Sequence, residues 1–194
     1  MSDKGLKVRC LDDYTDLPDI IENGATFADN AKIKAQTIAA YLHIPVLADD
    51  SGLCVEALNG APGVYSARFA GEGATDSQNN EKLMDELTKF QEPLHADSKV
   101  SSQNEGPQLL SPASYVCALA LVDPVANRIV QAEASCDGFI IDEYRGESGF
   151  GYDPLFYLPQ FGKTMAELSI EEKNKISHRA LALDRFLVQF SAMQ

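Results

Sequence analysis

Apolar and polar positions alternate along this chain with periods that change from segment to segment, and those changes mark out its elements. From 27 to 41, Phe27, Ala31, Ile33, Ile38 and Tyr41 recur at helical spacing. Thr26 precedes the run with Asp29 three residues on, the signature of an N-cap with an acidic partner, and His43 closes the helix. Pro45, Val46, Leu47 and Ala48 then form a short apolar run that predicts a buried strand ending on Asp49-Asp50-Ser51-Gly52. Residues 53–58 read as a further extended or turn-rich piece, and Gly60-Ala61-Pro62-Gly63 as a loop. A second helix is predicted over 77–90, with Leu83, Met84, Leu87 and Phe90 as its apolar positions.

Periodicity is lost over 93–112, where Ser, Gln, Asn, Gly and Pro accumulate, so this segment is expected to be an exposed loop insertion. Residues 115–123 and 128–136 are strand-like runs separated by a turn at 124–127, the pattern of an antiparallel hairpin, which 138–141 could extend. A glycine-rich stretch, Gly149 to Pro154, leads into strand-like residues 155–158. The C-terminal helix is capped by Ser177 and carries Leu181, Leu183, Phe186, Leu187 and Phe190 as one apolar stripe. Near the start, residues 6–10 read as extended and 12–21 as a loop with a turn at Asp16-Leu17-Pro18-Asp19. Helices and strands alternate only in part, because a hairpin interrupts them. The expectation is therefore an α/β fold with a mixed twisted sheet flanked by helices, as one domain over residues 1–194.

Composition narrows the chemistry. The chain is 45% hydrophobic and 23% charged, ordinary for a globular core, and its apolar runs are far shorter than the roughly 20 residues that span a bilayer. With neither a signal peptide nor a transit segment in view, the cytoplasm is the expected location. A net charge of −13 opposes binding to nucleic acid or an anionic membrane. A polyanionic small molecule remains possible if a local cationic pocket or a divalent metal receives it. Cys10, Cys54, Cys117 and Cys136 are widely spaced, with no zinc or redox pairing, and are expected to be buried structural thiols.

The candidate residues each admit a plain reading as well. Asp49 and Asp50 could simply form an Asx turn. On a strand, however, adjacent side chains point to opposite faces, so Asp50 alone could line a pocket, bind Mg²⁺ and activate a water. Glu22 is an exposed loop acid unless the fold brings it beside Asp50, where the two would make a minimal magnesium site. Lys173, His178 and Arg179 could be a solvated helix entry; alternatively, cations at a helix start, opposed to the helix dipole, would be reconciled by an anion held between them. Phe150 could sit in a core, or could stack on a planar base while Asp153 or backbone groups read the base edge.

Together these blocks resemble the inosine triphosphate, or noncanonical purine triphosphate, pyrophosphatase family. The resemblance is carried by Glu22-Asn23-Gly24-Ala25-Thr26-Phe27 with Asn30-Ala31 and Lys34-Ala35, by residues 46–53 (VLADDSGL), by 60–71 (GAPGVYSARFAG), by 149–154 (GFGYDP) and by Ser177-His178-Arg179, in matching order and spacing. It implies hydrolysis of ITP, dITP and XTP to the monophosphate and pyrophosphate, in a homodimer of two-lobed α/β subunits with the nucleotide in the cleft between lobes. Carried over by position, Asp50 would be the proton acceptor and a magnesium ligand, and Glu22 the second metal contact. Lys34 and Ser51 would approach the triphosphate. Phe150, Gly151, Tyr152, Asp153, Lys173, His178 and Arg179 would hold the nucleotide, the last two near the base, where they favour a 6-oxo over a 6-amino purine.

The sequence departs from that pattern in two places. Members open with a strand and a Thr/Ser-x-Asn-x-x-Lys loop, whereas this chain begins about where the following helix should end, residues 1–8 reading as a helix tail and the second strand. The 93–112 segment is also longer than usual and lacks the arginine often found before the hairpin. The first departure predicts a bare sheet edge or a gap in the core and keeps open an alternative, a purine-nucleotide-binding relative with weak or no turnover.

Overall fold

The computed structural model describes residues 7–90 and 106–192, apart from the side chain of Phe90. Helix α1 (Phe27–Leu42) starts where the sequence places it: the Thr26 hydroxyl accepts from the Asp29 amide at 3.1 Å, and His43, left-handed at φ 55°, ends it. Strand β1 (Val46–Val55) follows. Helix α2 (Asp76–Phe90), the long strands β2 (Leu109–Asp123) and β3 (Arg128–Ile141), and the short strands β4 (Phe156–Leu158) and β5 (Lys163–Thr164) come next. Helices α3 (Ile170–Ile176) and α4 (His178–Ser191) complete the fold. No helix among the described residues is long and apolar enough to cross a membrane.

The sheet runs β1-β2-β3-β4-β5, so the expected α/β fold with a helix-flanked sheet is present, and every pairing among the described residues is antiparallel. The predicted hairpin joins Asp123 to Arg128. Its turn is held by the Asp123 carboxylate, which accepts from the Val125 and Ala126 amides.

Three differences from the sequence reading have physical causes. First, β1 does not stop at Asp49; it continues through Asp50, Ser51 and Gly52 to Val55, in register with Ala113 to Val122. Its first half is only partly buried because it is an edge strand among the described residues, and one edge of a sheet tolerates polar side chains. Second, residues 109–112 of the expected loop are already β2, and 93–105 lie outside the described residues. Third, residues 7–10 form no strand, Cys10 is exposed and Cys54 half-buried; only Cys117 and Cys136 are buried thiols, with burial pushing them up to about 12 and about 11.

Strand alternation gives the sheet two dissimilar faces. On one, α1 lays Phe27, Ala31, Ala35 and Ala39 against Ala118, Ala120 and Val122. Small residues on both sides let helix and strands approach closely. On the other, α4 packs Ala182 and Phe186 on Cys117, Leu119, Leu121, Val130, Ala132 and Ala134. Of the predicted α4 stripe, Phe186 is buried and Leu181, Leu187 and Phe190 flank the core, but Leu183 faces out. Tyr41, at the end of the α1 repeat, is likewise exposed. At the far end of the same strands a second lobe gathers Leu53, Val55, Leu83, Leu87, Tyr115, Ile140, Leu155 and Phe156 around α2 and β4. The cleft lies between this lobe and α4.

Candidate active site

β1 delivers consecutive residues to opposite faces, and that decides the geometry of the site. Asp50 points toward α1. Its Oδ1 accepts from Lys34 Nζ at 2.8 Å, and its Oδ2 from Asn30 Nδ2 at 3.2 Å. Lys34 Nζ also lies 3.0 Å from Glu22 Oε2 and donates to the Asp49 carbonyl at 3.2 Å. Burial works against the charge on Lys34, but hydrogen bonds and charge from Asp50 and Glu22 outweigh it and raise the ammonium above the ordinary lysine value. The 22–24 loop, α1 and β1 thus bring Glu22, Lys34 and Asp50 into one cluster.

Glu22 and Asp50 are the residues of this cluster that would hold a divalent cation. Glu22 and Asp50 already converge on one cation, the Lys34 ammonium. Their donors are hard carboxylate oxygens. No group of three or more His, Cys, Asp or Glu side chains at metal-ligand spacing exists among the described residues. Two carboxylates, with waters and phosphate oxygens completing the shell, are the ligand set Mg²⁺ takes at nucleotide sites.

On the opposite face, Ser51 accepts from Arg179 Nη2 at 2.8 Å, and the Arg179 Nε lies 3.5 Å from Asp49 Oδ2. The Arg179 guanidinium sits 5.2 Å from the centre of the Phe150 ring, and Phe150 is 62% exposed, an aromatic face available for stacking rather than a core residue. Phe150, Asp153, Lys173, His178, Arg179 and Leu183 line a cavity of about 480 Å³.

Lys173 and Asp153 neutralise one another in its wall at 2.9 Å. Gly149 makes that pair possible: at φ 97° it adopts a conformation that favours glycine, and a Cβ there would stand 2.1 Å from Asp153 Oδ2. The Tyr115 hydroxyl donates to the other Asp153 oxygen at 3.2 Å. Burial first, and then the Asp153 charge, push Tyr115 well above the ordinary phenol value, which keeps that donor protonated.

Tyr115 also stacks on His178, with ring centres 4.8 Å apart and planes 12° from parallel. Burial, then the neighbouring Arg179 charge, lower His178 to about 4, so its imidazole is neutral near pH 7. Arg179 Nη1 lies 3.4 Å from His178 Nε2. A guanidinium can only donate, so Nε2 is the acceptor and the ring proton resides on Nδ1. That Nδ1 is buried and has no hydrogen-bond partner among the described residues.

Two of the residues expected to hold the nucleotide, Tyr152 and Gly151, also make contacts within the protein. Tyr152 is 3% exposed, and its hydroxyl donates to the Ser66 carbonyl at 2.8 Å, so its side chain is a wall of the second lobe. Gly151 is engaged through its backbone: its amide donates to Asp76 at 2.7 Å and its carbonyl accepts from Asn80 at 2.9 Å. Asp76 and Asn80, one turn apart on α2, therefore anchor the loop that presents Phe150.

Sequence reasoning gave no role to Asp76, Asn80 or Tyr115, and none to Asn30 beyond its place in the matching blocks. Only Asn30 left a signal, a polar residue on the apolar face of a helix. Helix α3, which carries Lys173, was missed as well, although Ser169 and Glu172 form a complete capping box that the sequence spells as Ser-x-x-Glu.

The sheet, with helices on both faces, thus carries the Glu22–Lys34–Asp50 cluster on one side of β1 and a cavity lined by Lys173, His178 and Arg179 on the other. A sequence model of the Ham1 family matches residues 1–189, and the chain belongs to that family. It is 49% identical to the dITP/XTP pyrophosphatase of Geobacillus kaustophilus over 94% of this chain and 81% of that protein. It is 45% identical to the enzyme of the same name from Streptococcus pneumoniae over 98% and 87%. Among solved structures, a HAM1 protein from Coxiella burnetii superposes with a TM-score of 0.77 at 39% identity, covering 91% of this chain and 82% of that one.

Proposed function

We propose that this protein hydrolyses noncanonical purine nucleoside triphosphates, ITP, dITP and XTP, to the nucleoside monophosphate and pyrophosphate, and so clears deaminated purines from the nucleotide pool. The carrying observation is the pairing of the Glu22–Lys34–Asp50 cluster with the Arg179–His178–Phe150 cavity across the single strand β1. The similarity to two dITP/XTP pyrophosphatases supports the same reading.

In this reading the base enters the cavity and stacks on Phe150. His178 Nδ1–H, buried and unpartnered, donates to the 6-oxo group. A 6-amino group would set donor against donor there and leave the histidine unpaired, which disfavours adenine nucleotides. Arg179 and Ser51 meet the anionic part of the nucleotide, and the triphosphate passes over the β1 edge toward Lys34. Asp50 accepts the proton of the attacking water as its oxygen bonds to phosphorus and the α–β phosphoanhydride breaks. Lys34 stabilises the departing pyrophosphate with a compact charge. Glu22 and Asp50 would hold the Mg²⁺, which supplies charge neutralisation for the phosphate oxygens. Assembly as a homodimer in the cytoplasm belongs to the same proposal.

A substrate panel with a coupled pyrophosphate assay tests this. ITP, dITP and XTP should turn over with Mg²⁺, and ATP at least a hundredfold more slowly in kcat/KM; equal rates for ATP would refute the assignment of the base pocket.

A further inference from the structure

The buried face of α1 consists of alanines with Phe27 and Ile38, except at Asn30, which is 1% exposed. A carboxamide in that position is costly unless both its ends are used, and both are. Its Oδ1 accepts from the Gly24 amide at 2.8 Å, and its Nδ2 donates to Asp50 Oδ2 at 3.2 Å. Because a backbone N–H can only donate, Oδ1 must face Gly24 and the NH₂ must face Asp50. The orientation of the amide is fixed by its surroundings.

Gly24 lies two residues after Glu22, and a Cβ on it would stand 2.7 Å from Asn30 Oδ1, so the loop is pressed directly on the amide. One helical turn on, Lys34 grips the other Asp50 oxygen and also Glu22. Asn30 and Lys34 therefore hold the two oxygens of one carboxylate from two successive turns, and each is also tied to the loop that carries Glu22.

The geometry points to Asn30 as a positioning residue of the site: it sets the plane of the Asp50 carboxylate and the spacing between β1 and the Glu22 loop, without itself touching substrate. This rests on Asp50 being the proton acceptor, and the experiment separates the two claims.

A double-mutant cycle of Asn30→Ala and Asp50→Asn is measured for XTP turnover. Alone, Asn30→Ala should lower kcat about 30- to 100-fold with KM within threefold. In the Asp50→Asn background it should cost less than twofold, because the carboxylate it orients has gone and its hold on the Glu22 loop is the smaller part of its effect on kcat. An equal loss in both backgrounds, or a loss under threefold in the first, overturns the inference. Asn30→Asp, which keeps the shape and the Gly24 contact, replaces Asn30→Ala in the cycle if the alanine variant does not fold, under the same criteria.

A readout independent of turnover is the rise in melting temperature on adding Mg²⁺ alone, since binding to the folded state raises it. Asn30→Ala should at least halve that rise, and an unchanged rise contradicts the role. If the parent protein shows the rise but releases no pyrophosphate, the pyrophosphatase reading fails while Asn30 is still judged by Mg²⁺; if it shows neither, both fall.

Discussion

The two faces of β1 solve opposite electrostatic problems with adjacent residues. Toward α1, Asp50 and Glu22 are two carboxylates around one ammonium, an acidic cradle that suits a hard cation. Toward α4, Ser51 and Asp49 meet Arg179, and the cavity beyond adds Lys173 and a neutral histidine beside an exposed aromatic ring. The first face is built from one helix and a short loop, the second from residues gathered across the 149–154 loop, α3 and α4. The difference teaches why an acidic chain can bind a polyanion. In the proposed reading the phosphates would be met by Lys34 and a metal held by Glu22 and Asp50, and the base by groups carrying little net charge.

If the faces divide the work in this way, substitutions should separate chemistry from recognition. Asp50→Asn should cost the most, a fall in kcat on the order of a thousandfold or more with KM for XTP within about threefold, measured by steady-state pyrophosphate release. Arg179→Ala should act mainly on binding, raising KM about 10- to 100-fold, as loss of charge-assisted hydrogen bonds does. Should Arg179→Ala instead reproduce the kcat loss of Asp50→Asn with KM unchanged, the division fails. His178→Phe, which keeps a ring against Tyr115, should reduce discrimination between XTP and ATP by about tenfold in kcat/KM.

The smallest effect on catalysis, but a measurable one on stability, comes from the titration of His178. Its folded value of about 4 lies below the ordinary 6.5, so between these limits the unfolded chain binds a proton that the folded chain refuses. Its contribution to stability is complete above pH 6.5 and declines as pH falls toward 4, by roughly 3 kcal/mol in total. Urea unfolding at pH 7 and pH 4.5 should show a smaller decline in His178→Phe than in the parent, and NMR should place the His178 midpoint near 4. A midpoint near 6.5 would remove the argument for a neutral donor.

Much of this was legible in the sequence where one local rule acted alone. Thr26 and His43 bounded α1 by capping, Ser177 capped α4, and Asp123 with the 124–127 turn announced the hairpin. The reading failed where tertiary position overrode local pattern. Asp49-Asp50-Ser51-Gly52 resembled a turn because its polar side chains belong to a strand that is an edge among the described residues, with a charged cluster on either face. Gly52 is there because β1 packs against the 63–68 turn so closely that a Cβ would lie 2.4 Å from the Ser66 hydroxyl. Likewise the resemblance gave roles to Glu22, Lys34 and Asp50 and included Asn30 only as a matching residue, because nothing in the spacing reveals what its amide holds. Nor did Asp76 and Asn80 announce that they anchor Gly151 from more than 70 residues away, because hydrogen bonds across elements have no sequence period.

In the proposed function the site cleaves between the α and β phosphates of a 6-oxopurine triphosphate. The most direct measurement is ³¹P NMR of the products formed from dITP with Mg²⁺. Pyrophosphate and dIMP in equal amounts, absent with Asp50→Asn, is the predicted result; orthophosphate with dIDP, or products that form equally well in the variant, would contradict it.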